Sequence, residues 1–291
     1  MAADRRTARS LLRLTRPGQW PKNLLVLAAP LAAGVIDEPD QLVAASAACL
    51  AFILAAAAVY AVNDVLDADD DRRHPTKRHR PVAAGELREG TALLLAAGCG
   101  AASVGVSAAL GWLMALVVVA YLASSAAYVL GVKRVPVLDV VAVAVGFVLR
   151  ALGGAAATHL PVSSWFLLVS LFGSLFLVCA KRRAEIRAVP PDTSTRPALA
   201  GYSSEWFTQV ITLSLTGAVL AYASWSVQLR TDAVMPVLAA SVLPLLVGLL
   251  RYLLMVDQCE GERPEDLARD PLILGCVGVW LTLVTGGLYL A

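Results

Sequence analysis

The chain has 291 residues, 58% of them hydrophobic and only 16% charged, and its mean hydropathy is +0.70. A soluble domain carries about 25% charged residues and cannot bury this much apolar surface, so a water-soluble enzyme, a disordered chain and a nucleic-acid-binding module are poor readings. The net charge of +2 decides nothing by itself; where the charges sit does. The length fits one integral-membrane domain, residues 1–291, rather than two domains.

A membrane-crossing helix needs about 20 mostly apolar residues. Nine stretches qualify in chain order: Pro17–Ile36, Leu42–Asn63, Thr91–Ala109, Leu113–Leu130, Val137–Ala156, Val162–Ala180, Phe207–Val227, Val234–Met255 and Leu272–Leu290. The runs are long, Leu/Ala-rich and without period-two alternation, so they read as helices rather than barrel strands. The expected fold is therefore all-α, a polytopic bundle of nine transmembrane helices. Ahead of the first span lie Arg5, Arg6, Arg9, Arg13 and Arg16, with no convincing small-residue cleavage site after them, so a cleaved leader is not expected. Cys49, Cys99, Cys179, Cys259 and Cys276 are scattered and read as inert thiols. His74, His79 and His159 show no ligand spacing.

With these spans, 22 of the 24 basic residues fall in alternate connections or, for Lys22 and Arg251, near the span ends beside them; the opposite connections hold only Arg230, and Arg150 lies well inside a span. The positive-inside rule then places the N-terminus in the cytoplasm and the C-terminus outside, in a plasma-membrane protein. Two connections on the basic side, Asp64–Gly90 and Lys181–Glu205, are long and charged, so the chemistry is expected there, on a cytoplasmic cap.

The first of these begins Asn63-Asp64-Val65-Leu66-Asp67-Ala68-Asp69-Asp70-Asp71 and runs on through Arg72, Arg73, His74, Lys77, Arg78, His79 and Arg80 to Pro81. If the second span continues by two turns, Asn63, Asp67 and Asp71 recur at every fourth residue and form one stripe of oxygen donors, with Asp64 beside it. Asp69 and Asp70 fall off that stripe. Carboxylate and amide oxygens suit Mg²⁺, which takes one or two protein carboxylates and fills its shell with water and substrate phosphates. The cations that follow would meet the same polyanion, Arg as a fork and Lys as a point charge. A solvated charged loop is the bland reading; the regular spacing at the end of a span argues against it.

The motif NDxxDxxxD at the end of the second of nine such helices resembles the UbiA superfamily of intramembrane prenyltransferases, over essentially the whole chain. The resemblance implies Mg²⁺ and a diphosphate at Asn63, Asp64, Asp67 and Asp71 as the catalytic set, with Asn63, Asp67 and Asp71 as metal ligands. Aromatic prenyltransferases of the superfamily carry a second aspartate motif after the sixth helix. Here that place reads Lys181-Arg182-Arg183-Ala184-Glu185, with cations where the aspartates would be. Lys181 and Arg182 stand one turn before Glu185. Metal sharing becomes less favoured on this side and direct phosphate contact more so.

This departure resembles one branch, the decaprenyl-phosphate phosphoribosyltransferases, as do Arg16-Pro17-Gly18-Gln19-Trp20-Pro21-Lys22-Asn23, Asn63 through Pro81, Gly146 through Ala151, and Lys181–Glu185 with Tyr202 downstream. The resemblance implies transfer of 5-phosphoribose from 5-phosphoribosyl diphosphate (PRPP) to a polyprenyl phosphate, for arabinan precursors of a cell wall. The partners expected are those two substrates and the bilayer, with a homo-oligomer left open and no nucleic acid. Lys22, Lys181 and Arg182 are expected to steer the two phosphates. Lys77, Arg78 and Arg80 are expected to hold the ribose 5-phosphate or the diphosphate.

Charges within spans carry two readings each. Lys22 and Asn23 either meet a phosphate or, for Lys22, snorkel beside Trp20. Arg150 either lines a polar pocket or pairs with a carboxylate such as Asp139, three turns earlier. Tyr60, one turn before Asp64, lines the pocket or the core. Arg251 with Glu265, Asp266 and Asp270 either closes the charged face or leaves Asp270 as a helix cap ahead of Pro271. Two rivals remain: a UbiA-type enzyme moving an isoprenyl group to an aromatic acceptor, and a transporter or lipid scaffold without chemistry.

Overall fold

A computed structural model describes residues 2–188, 201–228, 235–258 and 270–289. Among them the secondary structure is helical, with no strand. Eight helices are long and apolar enough to cross a membrane. The ninth expected span, Pro17–Ile36, is not one of them. It is a 3₁₀ segment over Pro17–Leu27 followed by a short α-helix, Ala28–Ala32. Pro17, Pro21 and Pro30 withhold three amide donors, and proline inside a helix also crowds the preceding turn. Irregular backbone in a membrane protein survives where protein covers it, and Asn23 and Val26 are fully buried.

The helices, in chain order, are α1 (Ala2–Leu14), α2 (Ala28–Ala32), α3 (Pro39–Leu66), α4 (Ala68–Arg73), α5 (Glu89–Leu110), α6 (Trp112–Leu130), α7 (Leu138–Ala157), α8 (Ser164–Ala188), α9 (Ser204–Gln228), α10 (Met235–Ala240), α11 (Val242–Asp257) and α12 (Pro271–Tyr289). α8 runs eight residues past the expected end of its span. Hydropathy stops at Ala180, but Lys, Arg, Ala and Glu are good helix formers, so Lys181–Glu185 lies on a helix rather than in a loop. The eighth span is broken at Ser241, where Pro244 has no amide hydrogen to give to the Ala240 carbonyl.

The described residues form two compact units. The first comprises the described residues within 1–31, 35–129 and 149–160. Its axis is α3 packed along α5, with small residues at the seam: Ala45, Ala48, Ala51, Ala55 and Ala61 on α3, and Ala92, Ala96, Ser103 and Ser107 on α5, all buried. Small residues let two backbones approach closely where lipid offers no hydrophobic drive; the Ser103 hydroxyl donates to the Ala51 carbonyl at 2.7 Å. Phe52, Met114, Val118 and Tyr121 fill the centre with Val26 from the 3₁₀ segment. Gly154 makes that segment possible, since a Cβ there would strike the Val26 carbonyl. A second cluster of Leu14, Ala68, Val82 and Leu87 seats the region around α4 against the helix ends.

The second unit comprises the described residues within 32–34, 130–148 and 161–291. Here α8 packs on α9, with Phe176, Cys179, Phe207, Ile211 and Val256 buried together. The Trp280 indole donates to the Tyr222 hydroxyl at 2.9 Å, and that hydroxyl meets Ser241 Oγ at 2.6 Å, beside the break between α10 and α11. Asp270 caps α12, its Oδ1 accepting the Ile273 amide at 2.9 Å, and Arg251 pairs with its other oxygen at 2.7 Å. Glu265, Asp266 and Cys259 lie outside the described residues.

Candidate active site

In the first unit the acidic motif is built by a helix that stops and restarts. α3 ends at Leu66 and α4 begins at Ala68, with Asp67 at the junction (φ −96°, ψ 5°). The Asp67 amide still donates to the Asn63 carbonyl at 2.9 Å and the Asp71 amide to Asp67 at 2.8 Å. One-turn spacing therefore survives the interruption. Asn63 and Asp67 are half-buried, Asp69 and Asp70 are exposed, and Asp64 and Asp71 are buried.

The side chains brought together are Asp64 and Asp71. Arg80 Nη1 lies 2.6 Å from Asp71 Oδ2 and 3.4 Å from Asp64 Oδ1. Arg16 also pairs with Asp64. Two buried carboxylates need this much positive charge, because an uncompensated one would shift its protonation instead. Arg16 pays in backbone strain: it sits in the left-handed region (φ 52°, ψ 68°) immediately before Pro17, a conformation costing about 1–3 kcal/mol outside glycine. Its guanidinium also lies 4.5 Å from the centre of the Tyr60 ring, one turn before Asp64. Lys22 bonds the Tyr60 hydroxyl and lies 4.8 Å from the same ring centre.

An open hollow of about 370 Å³ borders this cluster, lined by Arg13, Arg16, Asp64, Lys77, His79 and Arg80 among others. Arg13 is held there by Glu86 at 2.9 Å and by the His79 carbonyl at 2.6 Å. Ser10 donates to the same Glu86 carboxylate at 2.7 Å; that bond, then Arg13, holds the Glu86 carboxyl below its ordinary range. His74 Nδ1 accepts the amides of Thr76 and Lys77, at 3.2 and 3.3 Å. Desolvation and nearby Lys77 lower the His74 pKa, so a neutral imidazole ties the turn. Arg78 is exposed, and its Nε donates to Nε2 of His79, a residue that lines the hollow, at 3.4 Å.

Two buried carboxylates that already share one cation, with Asn63 and Asp67 on the same turns, are a donor set that fits a hard divalent ion. Among the described residues no group of three or more His, Cys, Asp and Glu could hold a metal by itself. Substrate oxygens and water would complete the shell, the normal habit of Mg²⁺.

Arg150 answers the second question about buried charge. It is 4% exposed, and its Nε donates to Asn23 Oδ1 and its Nη2 to the Tyr121 hydroxyl, both at 2.8 Å. The guanidinium carbon lies 4.7 Å from the centre of the Tyr121 ring. The Asn23 amide in turn donates to the Trp20 carbonyl at 3.1 Å. Arg150 thus ties the 3₁₀ segment to α6.

Asp139 belongs to a cluster in the second unit. The Tyr202 hydroxyl donates to Asp139 Oδ1 at 2.5 Å, and Arg182 Nε stands 3.8 Å from Oδ2. Arg182 Nη1 reaches Glu185 at 3.0 Å, one turn along α8. Arg183 pairs with Asp257 at 2.8 Å, whereas Lys181 is exposed. Of the residues singled out from sequence, the fold gathers Asp64, Asp71, Lys77 and Arg80; Lys22 with Tyr60; Asn23 with Arg150; and Arg182 with Glu185. Arg13, Arg16 and Tyr121 join these clusters without having been assigned a role, and Asp139, named only as a partner for Arg150, joins Arg182. Arg16 stood in a quoted motif, and Asp139 was visible as an acid opening a span; nothing in the sequence marked Tyr121.

Comparison with known proteins follows the same lines. A profile described as the UbiA prenyltransferase family matches residues 24–288. Decaprenyl-phosphate phosphoribosyltransferase of Mycobacterium tuberculosis is 41% identical over 280 residues, covering 94% of this chain and 92% of that protein. The protein of the same name from Corynebacterium glutamicum is 38% identical over 292 residues, covering 97% and 88%. Among solved structures, a UbiA homolog from Archaeoglobus fulgidus bound to GPP and Mg²⁺ superposes with a TM-score of 0.70 at 19% identity, over 96% of this chain and 98% of that one. A digeranylgeranylglyceryl phosphate synthase gives 0.69 at 12% identity, over 98% and 99%. At these identities the structural likeness is one of fold.

Proposed function

The chain belongs to the UbiA prenyltransferase family, and from that premise we propose that it transfers 5-phosphoribose from PRPP to a polyprenyl phosphate and releases diphosphate. The observation that carries this reading is the pair Asp64 and Asp71, buried on one arginine nitrogen beside a hollow lined with further cations. Relatives named decaprenyl-phosphate phosphoribosyltransferase support the choice of donor group and acceptor.

Asp64 and Asp71, with Asn63 and Asp67 on the adjoining turns, would hold Mg²⁺; the Mg²⁺ bound with GPP in the A. fulgidus homolog supports a divalent ion. When bound, it supplies positive charge to the departing diphosphate. Arg16, Lys77 and Arg80 hold phosphate oxygens and meet the negative charge that develops as the sugar C1–O bond breaks. Because Arg16 and Arg80 are already fixed by carboxylates, little reorganisation accompanies that step. The acceptor phosphate is an anion at neutral pH, so its oxygen attacks C1 without a strong general base. Lys22, Lys181 and Arg182 steer phosphate, and Arg150 with Asn23 holds the 3₁₀ segment that carries Lys22. The basic connections face the cytoplasm of a plasma-membrane protein, supported by the charge asymmetry along the chain.

The test is purified protein in nanodiscs with Mg²⁺, PRPP and a short-tailed polyprenyl phosphate, followed for lipid-linked phosphoribose. Formation of that product is expected. Its absence, with isoprenyl transfer from a diphosphate to an aromatic acid instead, overturns the proposal.

A further inference from the structure

Asp139 opens α7, is 2% exposed, and takes no part in the chemistry described above. A carboxylate buried at the start of a membrane helix is expensive unless its oxygens are engaged. Here they are engaged by side chains from two other elements. One is Tyr202, just ahead of α9; the other is Arg182, near the end of α8 and 5% exposed. Arg182 is one of the cations proposed above to steer phosphate.

The geometry is that of a joint. Tyr202 works in both directions, giving its hydroxyl hydrogen to Asp139 and accepting the amide hydrogen of Val137. Val137 is β-branched yet sits at φ 69°, a conformation such residues rarely hold without outside support. The Tyr202 ring is itself wedged against Trp206 and Phe207, at 4.6 and 4.7 Å between ring centres. The Asp139 carboxylate is therefore held on a rigid backing. Arg182 faces it with Nε and faces Glu185 with Nη1. A planar fork hydrogen-bonded to Glu185 through one edge and facing an opposite charge at 3.8 Å through the other has its direction set, and of these two anchors the buried Asp139 is the more rigid, Glu185 being half-exposed on the same helix.

We propose that Asp139 is a positioning residue, whose buried carboxylate, backed by the Tyr202 hydroxyl, sets where the Arg182 guanidinium points. The inference rests on the reading of Arg182 as a phosphate-steering cation. It assigns Asp139 no contact with substrate.

The experiment is a double-mutant cycle, Asp139→Asn and Arg182→Gln singly and together, with kcat and KM measured in nanodiscs and the thermal midpoint of each variant recorded. Asp139→Asn is expected to lower kcat/KM on the order of 10- to 100-fold, the range found for residues that orient a binding side chain. In the Arg182→Gln background the same change is expected to cost little more. Multiplicative losses, or no loss in the single variant, overturn the proposal, because a purely structural role would not depend on Arg182. Should Asp139→Asn fail to fold, Asp139→Glu keeps the charge balance, displaces the fork, and is read in the same cycle by the same criteria. The cycle is run on whichever transfer the wild-type chain performs. A wrong assignment of donor thus shows in the wild type, separately from the fate of Asp139.

Discussion

Asp64 and Asp71 stand on opposite sides of a helix break, yet both lie within 3.4 Å of the same nitrogen of Arg80. Residues seven apart share one face of a helix, and because the one-turn hydrogen bonds carry through the break at Asp67, the two carboxylates still face one cation. Asp71→Asn and Asp64→Asn should therefore each reduce turnover at least about 100-fold, the scale expected when a metal or phosphate anchor is lost. Asp69→Ala, on an exposed side chain that pairs with neighbouring Arg72, should stay within about twofold of wild type. Steady-state rates at saturating Mg²⁺ check all three, and normal activity in Asp71→Asn would remove the metal assignment.

Gly154 offers a packing test. A Cβ at this position meets the Val26 carbonyl, which is backbone and cannot step aside. Gly154→Ala should destabilise the first unit by about 1–3 kcal/mol through overpacking, read as a lower thermal midpoint in detergent.

Arg150 should behave as a strut. Asn23→Ala and Tyr121→Phe each delete one partner of a buried guanidinium. Polar pairs inside membranes are worth about 0.6–2 kcal/mol, so each single change should cost that much stability. Arg150→Leu, which removes the charge together with its need for partners, should cost less in stability than the two partner deletions combined while still impairing catalysis. Thermal midpoints against activity separate the two effects.

Acid should loosen two anchors. The carboxyls of Glu86 and Asp270 are both held below their ordinary range, Glu86 chiefly by Ser10 and Asp270 chiefly by Arg251. A depressed folded-state pKa gives stability that is present above the unfolded value and is lost as pH falls through the folded one. The thermal midpoint should therefore drop as pH falls below about 4, and Glu86→Gln should flatten part of that drop. A midpoint unchanged in acid would count against both anchors.

Much of the architecture was legible because a bilayer imposes a simple rule of length. Eight of the nine expected spans are helices within a few residues of their expected limits or longer. The exception, Pro17–Ile36, has the right hydropathy, but its prolines deny it a helical ladder, and hydropathy does not count hydrogen-bond donors. The overrun of α8 has the converse cause. Charge ends a hydrophobic run without ending a helix, so Lys181–Glu185 presents a helical face rather than a loop.

Residue types and their order were enough to determine that this chain spans a membrane, that its charges gather in two segments, and that one of those segments carries oxygen donors at helical spacing followed by cations. Those are local or periodic properties, written in single stretches of chain. Only the tertiary structure decided which charge meets which: Arg16 with Asp64 across 48 residues, Arg150 with Asn23 across 127, and Tyr202 with Asp139 across 63. Such pairings are set by how helices pack and where they break, and in a low-dielectric interior each buried charge takes the partner that packing brings within reach rather than the one nearest in sequence.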